Sequence, residues 1–197
     1  MIYNDLDFNY IIKNCKKMER AELSDIIIPL DSPIRADFCH QATQENETIR
    51  DFIEKVNPKI KIDDGSTCYY LPNATDTIYM VDLNRFYSKT LYYSVLFHEL
   101  IHWSGNNNRL NRDGIARRNI EGPLEIKMSE CRKEEIIAQL GSYYLTKHFK
   151  IDSSFFKNFT TKYIAEVLST FKKKGLEKIL TNADKQARKA VRYILSL

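Results

Sequence analysis

Tyr92-Tyr93-Ser94-Val95-Leu96-Phe97-His98-Glu99-Leu100-Ile101-His102-Trp103-Ser104-Gly105 is the stretch that decides the reading of this chain. Ser88 upstream is a suitable helix cap and Gly105 a suitable stop, so the stretch reads as one helix. It is apolar nearly all round, which marks it as buried. Within it lies His98-Glu99-Leu100-Ile101-His102, an H-E-x-x-H. Two histidines at i and i+4 project from one helix face and can reach a single ion. Glu99 stands about 100° round the helix from His98, beside the ion rather than among its ligands. Burying two imidazoles and a carboxylate in an apolar helix costs free energy unless something pairs with them. A zinc ion supplies that pairing, and Glu99 can then take a proton from water that the metal has acidified.

Such a site needs a third protein ligand and an open fourth position. Two sources compete. One is Asn108, which closes the pattern H-E-x-x-H-x-x-G-x-x-N, although a neutral amide is a poor zinc ligand. The other is Lys133-Glu134-Glu135-Ile136-Ile137-Ala138-Gln139, a predicted helix 33 residues beyond His102. Glu135 is the preferred candidate there, with Glu134 beside it left open.

Outward from the motif, the helical rhythm runs to the end of the chain. A helix is predicted over Ser129–Phe149, and two more over Ser153–Lys173 and Leu176–Leu195, divided at Gly175. Residues 105–128 read as a long loop around Pro123. Upstream, Lys59–Asp63, Thr67–Leu71 and Asp76–Val81 alternate with period 2 and read as three short strands. They are expected to form a small, mostly antiparallel sheet. Residues 77–81 read as a core strand and as a candidate cleft-edge strand that pairs with extended substrate, and both can hold. Glu47–Val56 reads as a helix ended by Asn57-Pro58. Asp25–Pro29 reads as a short strand, 31–39 as loop, and 6–23 as helical. The fold class is α+β: residues 1–25 form a helical extension and residues 26–197 one domain.

Composition excludes several classes. The 197 residues are 43% hydrophobic and 28% charged, with 6 Gly and 5 Pro, which rules out disordered and collagen-like chains. No apolar run approaches the roughly 20 residues needed to span a bilayer. The N-terminus lacks a secretory signal, so a cytoplasmic location is expected. Cys15, Cys39, Cys68 and Cys131 include no Cys-x-x-Cys pair and are expected as free thiols. The net charge is +4, split between −5 in residues 1–100 and +9 in residues 101–197. The excess lies in Lys172-Lys173-Lys174, Lys185, Arg188, Lys189 and Arg192, which suits a nucleic-acid surface or a solvated helix face.

The stretch 92–105, with Arg109-Leu110-Asn111-Arg112-Asp113 and Glu134-Glu135-Ile136-Ile137-Ala138-Gln139-Leu140-Gly141, resembles the zincin-like metallopeptidase domain of ArdC-type antirestriction proteins. That domain also occurs in polyvalent proteins of phages and conjugative elements. The likeness extends to Asp76–Met80, Tyr163-Ile164, Ile179-Leu180 and Ala183–Ala190, so it covers roughly residues 26–195. ImmA/IrrE-type peptidases are a more distant resemblance. The resemblance implies a gluzincin-like site with Zn2+ held by His98, His102 and Glu135, and Glu99 as general base. It implies a protein or peptide substrate, such as a host defence or regulatory protein, and a phage or mobile element as source. It carries no substrate-binding residue onto this chain. Three departures stand out. Residues 1–25 are too short for the family's single-stranded-DNA-binding domain, Gln139 replaces a frequent acid, and Asn106 replaces a frequent His.

Other residues carry open alternatives. His148, Tyr143 or Tyr144 could stabilise an oxyanion or belong to the core. Arg109 and Arg112 could bind a substrate carboxylate or phosphate, or tie the long loop to Asp113 or to the acidic N-terminal half. His40 reads as a surface histidine.

Overall fold

A computed structural model describes residues 5–17, 47–73, 75–116, 124–151 and 154–197. The expected strand at 25–29, the loop at 31–39, Cys39 and His40 lie outside the described residues.

The elements run α1 (Phe8–Asn14), α2 (Glu47–Val56), β1 (Lys59–Ile62), β2 (Tyr69–Leu71) and β3 (Thr77–Met80). A 3-10 turn (Leu83–Arg85) leads into α3 (Lys89–Ser104), α4 (Asp113–Ala116), α5 (Leu124–His148), α6 (Ser154–Ser169) and α7 (Leu176–Leu195). The architecture is α+β, as expected. α2 ends at Asn57, whose φ of 53° is the left-handed conformation of a helix stop, just before Pro58. α5 starts five residues earlier than the periodicity predicted. Ile126 and Met128 stay exposed in that first turn and so gave no buried rhythm to read.

The three strands form one sheet in the order β1-β3-β2. β1 pairs with β3 in parallel, and β2 pairs with β3 antiparallel. The sheet is therefore mixed, where a mostly antiparallel one was expected. β3 is its central strand. Both of its backbone edges are taken by its neighbours, so residues 77–80 cannot be the free edge for substrate that the sequence suggested.

α3 holds the middle of the molecule. The Ser88 hydroxyl accepts from the Leu91 amide at 3.2 Å and caps it. Phe97, Leu100 and Ile101 are wholly buried along it, each contributing on the order of 1.5–3 kcal/mol relative to exposure. α5 packs against α3 at very short range. A Cβ on Gly141 would lie 2.6 Å from Ile101 Cγ1 and Cδ1, so the helices meet only because residue 141 has no side chain. Across α5 lies α7, whose buried face is Leu176, Leu180, Ala183, Ala187, Ala190 and Ile194. The spacing of 4, 3, 4, 3 and 4 is a helix stripe, and its alanines let the axes approach. Tyr144 donates to Asp184, and Arg188 closes on the same carboxylate at 2.8 Å.

α1 joins the same core through Leu6, Ile11 and Cys15. Asp5 just before it accepts from the Tyr143 hydroxyl at 2.7 Å and pairs with Lys147 and Lys157. Tyr143 and Tyr144 are thus structural ties, and His148 is exposed at the end of α5. Cys15, Cys68 and Cys131 are free thiols, as expected. Among the described residues no helix is long and apolar enough to cross a membrane.

Candidate metal centre

His98 and His102 stand one turn apart on α3, and their Nε2 atoms lie 3.1 Å from each other. α5 passes alongside and contributes Glu135. Its Oε2 is 3.3 Å from His98 Nε2, and its Oε1 is 3.5 Å from His102 Nε2. One donor atom from each of the three residues lies within 4.8 Å of the others. Asn108, the competing candidate, is exposed on the loop after α3 and gives its backbone N–H to the Asn106 side chain.

Each imidazole is held from behind. His98 Nδ1 faces Gln139 Oε1 at 3.1 Å. The Gln139 amide nitrogen donates to Thr160 on α6 at 2.9 Å, which turns the carbonyl oxygen toward the histidine. His102 Nδ1 faces Glu134 Oε1 at 3.2 Å. Glu134 is thus a support for His102. Its own position is set by Arg112, whose guanidinium donates to both carboxylate oxygens, to the Ser104 hydroxyl at 2.9 Å and to the Ile101 carbonyl. All three are buried: His102 is 3% exposed, Glu134 1% and Arg112 6%.

These partners test whether a cation belongs here. An acceptor at each Nδ1 assigns the ring protons to Nδ1 in the neutral rings. Both Nε2 lone pairs then face one another, with a carboxylate as third neighbour. Such a set repels itself unless a positive charge sits between the atoms. Two ligands at about 2.0–2.1 Å in a tetrahedral array stand about 3.3 Å apart, which is the spacing seen among these three groups. The residues fit a divalent metal.

The charges draw a cation to this spot, a proton on His102 when no metal is bound. Burial drives the Glu135 carboxyl upward, but His102 and His98 outweigh it and hold it well below the usual carboxylate range. Burial likewise opposes ionisation of Glu134, and Arg112 and His102 override it. Burial disfavours the charged form of His102, yet Glu135, Glu134 and Glu99 together lift it to about 9. The site is a negative pocket that attracts a cation. Glu99 is 7% exposed on α3, and its charge is felt by both His102 and Tyr163.

Tyr163, on α6, is a residue the sequence did not single out as functional. Its hydroxyl donates to Glu135 Oε2 at 2.9 Å. Burial, then Glu135 and Glu99, push its ionisation far above the ordinary range, so it stays a neutral donor. Its only signal in the sequence was a place in the Tyr163-Ile164 stretch.

The family's sequence pattern for a zincin-like metallopeptidase matches residues 47–185. The chain belongs to the zincin-like metallopeptidase family. This family pairs its fold with a divalent metal, zinc being the norm. The chain is also 38% identical over 76 residues to the uncharacterized protein y4eC of Sinorhizobium fredii (strain NBRC 101917 / NGR234), a match that spans 39% of this chain and 24% of that protein. It is 36% identical over 77 residues to the DNA primase TraC of Escherichia coli, spanning 39% of this chain and 6% of the primase. The shared stretch is thus a small part of either relative. Among solved structures, the antirestriction protein ArdC of plasmid R388 in its Mn(II)-bound form superposes with a TM-score of 0.54 at 21% identity, over 79% of this chain and 53% of ArdC. The metal-free form of ArdC gives 0.53 at 23% identity over the same shares. These two share the fold.

The loop after α3 resolves the two arginine alternatives. Arg109 ties the loop back to the acidic N-terminal half. It donates to Asp76 Oδ2 at 3.0 Å and to the Trp103 carbonyl at 2.6 Å, and it lies 3.9 Å over the Trp103 ring. Asn106 donates to the Tyr70 hydroxyl at 2.6 Å and joins the same cluster. Arg112 turns inward to Glu134, a partner the sequence did not suggest. Gly105 makes room for it: a Cβ there would meet the guanidinium at 2.7 Å.

Proposed function

We propose that this family member is a zinc-dependent metallopeptidase that hydrolyses a peptide bond. The observation that carries the reading is the convergence of His98, His102 and Glu135, with Glu99 on the same helix beside them. His98, His102 and Glu135 would hold the ion. When bound, a zinc ion polarises a scissile carbonyl and lowers the pKa of water. Glu99 accepts the proton of the attacking water and can return it to the leaving amine. Gln139 and Glu134 keep both imidazoles turned for this work.

The setting supports a cytoplasmic role in countering or modulating host defence, encoded on a phage or plasmid. The ArdC neighbour is an antirestriction protein from a plasmid, and TraC is a DNA primase. The substrate in this reading is a protein or peptide, such as a defence or regulatory protein of the host.

A second reading rests on charge. Lys172, Lys173, Lys174, Lys185, Lys189 and Arg192 are all exposed at the C-terminal end of the chain. They suit a module that binds nucleic acid or an acidic partner, with the metal serving structure alone. Glu99→Gln separates the two. In the peptidase reading this variant keeps one metal per chain by elemental analysis, as His98→Ala does not, and loses both proteolysis and biological activity. Full biological activity in Glu99→Gln, with salt-dependent DNA binding that weakens when Lys172–Lys174 are neutralised, establishes the second reading instead.

A further inference from the structure

Arg85 is buried without the partners that its charge needs. It closes the 3-10 turn before α3 and is 4% exposed. Its Nη1 donates to the Gly65 carbonyl, the guanidinium's one hydrogen bond among the described residues, and its Nε is buried with no partner. No carboxylate among the described residues forms an ion pair with it, Asp63 on the same turn as Gly65 included. Arg112 shows how this fold satisfies an equally buried guanidinium: it donates to both oxygens of Glu134, to Ser104 and to Ile101. A buried charge left without a counterion costs folding free energy that a purely structural role does not return.

The unpaired guanidinium stands toward the metal centre's helix. The Cys68 thiol feels the charges of both Glu99 and Arg85. Phe86, the residue after Arg85, meets the Tyr92 ring edge-on at 5.2 Å. Tyr92 and Glu99 are seven residues apart and so share one face of α3, about 10 Å apart along its axis. Arg85 thus lies toward the Tyr92 end of the face that carries Glu99.

We propose that Arg85 receives a carboxylate of the bound peptide, so that the substrate carries an acidic group about three extended residues from the bond that is cut. The Nη1 bond to Gly65 leaves the Nε–Nη2 edge, which takes a carboxylate through two parallel hydrogen bonds. A site this dry strengthens such a pair, and dissolved salt screens it little. The inference names the substrate class of the peptidase site and rests on that reading.

Peptide hydroxamates, which seize a catalytic zinc directly, test it by calorimetry on the zinc-loaded full chain. Each probe carries Glu or the isosteric Gln at successive positions from the hydroxamate. At the matching position the Glu probe should bind wild type at least ~10-fold more tightly than the Gln probe. Arg85→Met should bind both alike, at the wild-type affinity for the Gln probe. Arg85→Lys, which keeps a charge and a donor for Gly65, should show a reduced preference and serves if Arg85→Met fails to fold. A probe of equal reach that ends in a free carboxylate distinguishes an acidic side chain from a chain end; an Arg85-dependent gain with either supports the inference. Equal affinity for charged and neutral probes in wild type, or a preference unchanged in the Arg85 variants, overturns it and leaves the peptidase reading intact. Zinc-loaded wild type that binds no hydroxamate overturns the peptidase reading, and this inference with it.

Discussion

Glu134 and Glu135 grip the His102 ring from its two edges. Glu134 meets Nδ1 at 3.2 Å, and Glu135 meets Nε2 at 3.5 Å. Adjacent residues on a helix diverge by about 100°, so the two carboxylates approach the ring from different sides. One of the pair is backed by Arg112 and sealed from solvent. The other borders the opening to solvent, with 29% of its side chain exposed.

Removing the sealed partner should be costly. Glu134→Gln or Arg112→Met each leaves a buried charge without its counterpart, and each should lower stability by about 3–5 kcal/mol. The double variant should cost less than the sum, since both remove the same pair. Urea titration of the two singles and the double measures this; strict additivity would mean the pair is not coupled. Metal affinity in Glu134→Gln should also fall about 10–100-fold as His102 loses its hold.

Gln139 offers the opposite experiment. A neutral amide accepts from His98 Nδ1 where His102 enjoys a carboxylate. Gln139→Glu makes the two alike, and Thr160 can reverse its hydroxyl to donate. The His98 imidazole becomes more basic, and metal affinity in chelator competition should rise on the order of 10-fold. Unchanged affinity would show that His98 is oriented rather than electronically tuned by residue 139.

Gly141→Ala forces Ile101 and α5 apart. The expected cost is about 1–3 kcal/mol from overpacking. Metal affinity should drop as well, because Ile101 adjoins His102 and residue 141 lies on the helix that carries Glu135. Ile101→Val trims the side chain that the new methyl strikes. Melting curves should show the double variant less damaged than the sum of the singles.

Acid should loosen the loop after α3. Burial pushes the Asp76 carboxyl up, but Arg109 and Tyr70 outweigh it and hold it below 3.8. A group whose folded value is depressed adds stability above its ordinary value and loses it as pH falls through the folded one. The contribution of Asp76 is therefore complete above 3.8 and is lost below it. Asp76→Asn should melt lower than wild type by a constant margin above pH ~5, and the gap should narrow below pH 3.8. A gap that stays constant down to pH ~2 would remove Asp76 from the acid response.

The His98, Glu99 and His102 constellation was legible because one helix fixes its spacing without help from the rest of the fold. The helix itself was bounded by Ser88 and Gly105, and both bounds hold in the structure. The choice between Glu134 and Glu135 was harder. Residues 136–140 of α5 are all buried, so no polar face in the sequence indicated which glutamate turned toward the histidines. Tyr163 lies 28 residues beyond Glu135 on another helix, and nothing local ties the two. The partner of Arg112 depended on how the loop closes. Strand order was hidden too, since β1 and β2 follow one another in sequence yet sit on opposite sides of β3.

Gly105, Arg112 and Glu134 occupy one another's space and charge. The guanidinium runs where any larger residue at 105 would stand, and it neutralises the acid that steadies a histidine. None of the three can drift alone. In related chains these positions are expected to change together or not at all, which makes the trio a heritable unit and a marker for recognising kin in which the H-E-x-x-H pattern has decayed.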